Sequence, residues 1–72
     1  MKKSPNGYNS ALGKRLKRLR ENAKLTQSEL ASIMGVHRLS IIRWESGQRS
    51  PTASVLAAFA AACNCTLSEV LA

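Results

Sequence analysis

The chain has 72 residues, 44% of them hydrophobic, which suits one small domain with a core and is too apolar for a disordered segment. Eleven Lys and Arg against four acids give a formal charge of +7, so the partner expected first is nucleic acid, with an acidic membrane surface second. No apolar run approaches the ~18 residues of a membrane span, and "MKKSPNGYNS" lacks the apolar segment of a secretory signal.

Residues 1–9 contain Pro5, Gly7 and two asparagines without periodicity, and read as a flexible basic tail ahead of a domain at 10–72. Lys2 and Lys3 in that tail could follow a nucleic-acid backbone or its minor groove. From Ser10 the pattern changes. Leu12, Leu16 and Leu19 share one helical face, and Lys14, Arg15, Lys17, Arg18 and Arg20 fill the rest. Residues 11–24 alone would pass for a basic membrane-surface helix, but the apolar stripe is narrow and has no aromatic anchor. The first helix of a folded domain is the better reading.

"TQSE" at 26–29 is a capping box, in which Thr26 and Glu29 satisfy each other's backbone N–H groups. The short helix it opens carries Leu30, Ile33 and Met34 and stops at Gly35, a residue suited to the left-handed position past a helix end. A third helix restarts almost at once, since Ile41 and Trp44 lie three apart, and Gly47 ends it. After the "QRSP" loop, Thr52 can cap an alanine-rich fourth helix to about Ala62, with Leu56, Phe59, Ala60 and Cys63 on its packing face. Asn64 is placed for the left-handed position after it. "TLSE" at 66–69 is a second capping box and opens a short terminal helix with Leu67, Val70 and Leu71. Cys63 and Cys65, separated only by Asn64, are too close for an unstrained disulfide and read as small apolar side chains of a reducing cytosol. A zinc site would need two more ligands, and His37 is the only histidine.

The second and third helices, separated by a few residues around Gly35, fit the frame of a helix-turn-helix. Counted from Gln27, the small or apolar positions fall on Leu30, Ala31, Met34, Val36, Ile41 and Trp44, with the turn glycine at Gly35. Ala31 matters most, because a longer side chain would push the two helices apart. With these residues, and with "LTQSELA", "RWESG" and Pro51, nearly everything after residue 11 resembles the phage-repressor/Cro (XRE-like) type of helix-turn-helix domain. That resemblance implies an all-α, compact five-helix fold, a buried ion pair between Arg20 and Glu45, and docking of the third helix in the major groove.

Taking about 100° per residue, Leu39 points about 170° away from the Ile41/Trp44 direction, with Ile42 and Arg43 roughly 130° from it on either side. His37 and Arg38 stand at the exposed N-terminal end of this helix, and since the resemblance implies that the outward face enters the groove, His37, Arg38, Leu39, Ile42 and Arg43 are the expected base-reading residues. Arginines can pair with guanine O6/N7, and the apolar side chains can meet thymine methyls. Ser40, Ser46, Gln48 and Arg49 are the expected phosphate contacts, helped by the N-terminus of the second helix, and the resemblance implies a further one from Gln27. One recognition helix spans few base pairs, so a homodimer on a palindromic double-stranded operator is expected, with Leu67, Val70 and Leu71 as its interface.

No carboxylate pair, activated nucleophile or metal cluster is visible, so no enzyme activity, cofactor, metal or small-molecule ligand is expected. The resemblance implies a cytoplasmic, prokaryotic or phage-encoded regulator such as an autorepressor. An antitoxin or restriction-modification controller of the same fold remains an alternative, as does a protein-interaction module using Leu39 and Ile42. Three residues depart from the family pattern. His37 stands where Ser or Thr usually caps the third helix, Lys24 where Gly or Asn is common after the first, and Ile42 where a polar residue is usual.

Overall fold

The structure, a computed structural model, describes the backbone of residues 5–71 and the side chains of residues 11–71. Among the described residues there are five helices and no strand: α1 Pro5–Asn22, α2 Gln27–Met34, α3 Arg38–Ser46, α4 Ala53–Ala62 and α5 Leu67–Leu71. Backbone helix is thus present from Pro5, ahead of Ser10, where the apolar periodicity starts. The remainder of the expected tail, with Lys2 and Lys3, lies outside the described residues.

Side chains at the helix starts do what their types dictate. Thr26 accepts from the Glu29 N–H while the Glu29 carboxylate accepts from the Thr26 N–H, and Thr66 and Glu69 repeat the exchange ahead of α5. Thr52 accepts from the Val55 N–H at the start of α4. His37 occupies the same position before α3 with no side-chain cap bond.

The first four helices end alike. The N–H of Leu25, Val36, Gln48 and Cys65 donates to the carbonyl of Arg20, Ala31, Arg43 and Ala60, respectively. That six-to-one closure needs a left-handed residue just before the donor. Gly35 and Gly47 supply it at φ 72° and 82°, and Asn64 at φ 57°. Lys24 supplies it at φ 64°, the one position where a long L-side chain bears the left-handed penalty. Its turn is held from Arg20 at both ends. The Arg20 carbonyl accepts from the Leu25 N–H, and the Arg20 Nη1 donates to the Leu25 carbonyl at 2.8 Å.

The core runs from Leu16 through Leu30, Ala31, Ile41, Trp44, Phe59, Ala60 and Cys63 to Val70. Leu12 and Leu19 pack half-buried beside Leu16, as do Met34, Val36 and Leu56 around the centre. Val70 is fully buried, which corrects its expected place in a dimer interface. Packing of α5 on the core turns it inward, while Leu67 and Leu71 stay exposed. Ile33, one of the apolar residues of α2, is also exposed. Cys63 is buried and Cys65 half-buried, both as free thiols. Burial pushes the Cys63 thiol up to about 11, away from the reactive thiolate.

Candidate nucleic-acid interface

The outer face of α3 is positioned by what holds its inner face. Arg20 of α1 and Glu45 of α3 form a buried ion pair, with Nε to Oε2 at 2.6 Å and Nη2 to Oε1 at 3.1 Å. The two parallel bonds fix orientation as well as distance. The Glu45 hydrogen bond raises the Arg20 pKa above its ordinary value, against the opposing effect of burial. Glu45 also accepts from Gln27 Nε2 at 3.1 Å, so one carboxylate joins α1, α2 and α3. No buried side-chain N or O atom among the described residues lacks a partner.

Gly13 sets the closeness of α1 to α3. A Cβ there would lie 2.8 Å from the Trp44 carbonyl oxygen and closer still to that of Glu45. Only hydrogen at this position lets the α1 backbone rest on the last turn of α3. The sequence reading passed over Gly13, although its phase offered a signal. It lies about 60° from Leu16 around α1, on the same side as Arg20, where a residue without a side chain marks close backbone approach.

Two open depressions flank α3. The first is lined by His37, Arg38, Leu39, Ser40, Arg43 and Arg49. It brings together four of the five expected base readers and two of the expected phosphate contacts. Leu39 stands 50% exposed among three arginines, with no acid in the lining. The second is lined by Lys17, Gln27, Ile42, Glu45 and Ser46. Ile42 is half-buried here and lines this depression, while exposed Leu39, three residues before it on α3, lines the first. The cause is tertiary: α1 and α2 close over the flank of α3 that a free helix would leave wet. Ser46 donates to the Arg43 carbonyl at 3.2 Å, and Gln48 is exposed in the following loop and lines neither depression.

The family model described as Helix-turn-helix matches residues 16–70. The chain belongs to the helix-turn-helix family, of XRE type. In this helix-turn-helix protein the matched segment begins and ends on Leu16 and Val70, the first and last buried apolar residues, and so takes in the whole core. The HTH-type transcriptional regulator DicA of Escherichia coli (strain K12) is 32% identical over 63 residues, covering 88% of this chain and 47% of that protein. The chain therefore spans about half the length of this curated relative. Two crystal structures of the clp gene regulator ClgR from Corynebacterium glutamicum share the fold at a TM-score of 0.83 and 27% identity. They cover 88% of this chain, which spans 67% of one and 81% of the other. In this helix-turn-helix chain, no helix among the described residues is long and apolar enough to cross a membrane.

Proposed function

We propose that the chain is a sequence-specific, double-stranded DNA-binding transcriptional regulator that inserts α3 into the major groove. One observation carries this reading: the depression along α3 gathers Arg38, Arg43 and Arg49 around exposed Leu39 with no acidic residue in its lining. Arg38 and Arg43 are the proposed guanine readers, Leu39 the proposed thymine-methyl contact, and His37 a further base contact. Ser40 and Arg49 flank them for phosphates, and Gln48 follows in the loop. The protein-partner alternative relied on a joint Leu39/Ile42 patch. With Ile42 half-buried and Leu39 lining a depression with three arginines, the face offers little apolar area and much positive charge, which suits a polyanion better than an apolar partner.

The proposed working form is a homodimer on a palindromic operator, acting as a repressor of nearby genes. Leu67 and Leu71 are exposed at 42% and 56% and remain the proposed apolar contacts between copies. Anisotropy titration of a mixed-sequence duplex should show log affinity falling steeply with log salt, by about 0.9 per phosphate contact. A flat salt response defeats the reading. Footprinting upstream of the gene should protect two half-sites about 34 Å apart, and sedimentation should find two chains per site. A strict single chain on a symmetric site removes the dimer while leaving DNA binding intact.

A further inference from the structure

The cations of this chain keep to one part of the molecule. The sequence has no Lys or Arg between Lys24 and Arg38, and none after Arg49. Those among the described residues therefore lie on α1, on α3 and in the segments that follow these helices. The only charged residues of α2, α4 and α5 are Glu29 and Glu69. Because α4 packs on both α2 and α5, the cation-free elements are neighbours.

The outer surface of α4 is unusual for a helix that meets solvent. Ser54 is its only polar residue. Phe59 and Ala60 are buried, while Ala57, Ala58 and Ala61 are exposed. A surface helix ordinarily carries charged or polar residues outward, and one that is apolar all round is a helix to be covered. An open groove runs between α2 and α4, lined by Ile33, Met34, Ala58, Ala61 and Ala62. Ile33 is 57% exposed, more than any other large apolar side chain among the described residues. A protruding side chain beside a hollow of small residues is self-complementary about a two-fold axis, since the Ile33 of each copy can fill the hollow of the other.

Charge selects the occupant. A second copy of a +7 chain is repelled wherever cations face it, and the α2–α4 groove presents none. An acidic protein would be drawn to α1 or α3 instead. Area gives a second argument. A stable interface buries roughly 800 Å² per partner from about 20–30 residues. Leu67 and Leu71, the exposed large apolar side chains of α5, do not supply that by themselves. Resting on the homodimer reading, we infer that the α2–α4 groove is the main contact between two copies of this chain, with each Ile33 seated among Ala58, Ala61 and Ala62 of the other copy. The groove shares no residue with the depression around Leu39, so this contact leaves the arginines of α3 free for DNA.

The test is sedimentation equilibrium of wild-type, Ile33→Lys, Ala61→Glu and Leu71→Lys proteins over a concentration series, with thermal melting to confirm folding. At ~0.15 M salt the screening length is about 8 Å, which damps the repulsion between copies but not a contact pair. Ile33→Lys and Ala61→Glu should each raise the dissociation constant at least about tenfold, since either change occurs twice in a two-fold contact. Both positions are exposed, so the fold should be retained. Mixed in equal amounts, these two variants should associate more tightly than either alone. In the mixed pair the new ammonium faces the new carboxylate at one contact, and the native residues meet at the other. Leu71→Lys should weaken association less. An Ile33→Lys protein that dimerises like wild type, or a mixture no tighter than its components, overturns the groove contact. If Leu71→Lys alone dissociates the dimer, the groove fails and the homodimer reading stands on α5. Wild type that stays a single chain at every concentration also overturns the groove contact, and the number of chains on the operator then decides the homodimer reading separately.

Discussion

The two faces of α3 obey different rules. Its inner face is locked by contacts with no slack: Ile41 and Trp44 in the core, Glu45 shared by Arg20 and Gln27, and carbonyls that touch Gly13. Its outer face, with His37, Arg38, Leu39 and Arg43, is open and basic. The contrast teaches how a domain this small presents a fixed helix to a partner. Rigidity comes from α1 and α2 behind the helix, and the presented residues are released from any structural duty. Substitutions on the two faces should therefore separate stability from binding.

The largest effect is expected behind the helix. Glu45→Ala strands the Arg20 guanidinium in the core and should cost about 3–5 kcal/mol in urea unfolding. Replacing both partners with apolar residues of similar volume should recover most of that loss, since the penalty comes from the unpaired charge. Gly13→Ala should follow at about 1–3 kcal/mol, because the new methyl meets backbone oxygens that cannot rotate aside. If thermal melting shows either variant as stable as wild type, the inner face is less constrained than described.

On the outer face, Leu39→Ala and Arg43→Ala should leave unfolding unchanged to about 0.5 kcal/mol. Each should cost about 1–3 kcal/mol of operator affinity and relax the choice of base at its position. Loss of stability with no loss of binding would reverse the assignment of the faces. At the turns, Lys24→Gly should raise stability by about 1 kcal/mol, because glycine has no penalty at φ 64°. The smallest change is expected from His37→Ser, which adds the missing cap acceptor of α3 and should gain about 0.5–1 kcal/mol. If His37 touches DNA, the same variant binds more weakly although it is more stable, and affinity measured beside melting temperature sharpens the division.

What was legible in the sequence was local. The capping boxes at Thr26 and Thr66, the cap at Thr52 and the left-handed residues at Gly35, Gly47 and Asn64 involve partners within a few residues. Residue type and spacing settle such interactions before any packing occurs. The phase of α3 was also correct for Ile41, Trp44 and Leu39, since one apolar stripe orients a helix against whatever core exists. The Arg20–Glu45 pair came from the family resemblance, and no spacing rule would have produced it across 25 positions.

The rest was decided by which helices meet. Val70 looked like one of three equivalent apolar residues of α5 until packing chose it alone for the core. Ile42 was placed outward by its phase, but α1 and α2 cover that flank of α3 and leave it half-buried beside Lys17. Gln27 was expected only at a phosphate, and its hydrogen bond to Glu45, 18 positions away, was not foreseen. Gly13 could be read as a weak point in a helix until α3 came close enough to need the missing Cβ. In each case the deciding partner is distant in the chain, and periodicity, which describes one helix at a time, contains no information about it.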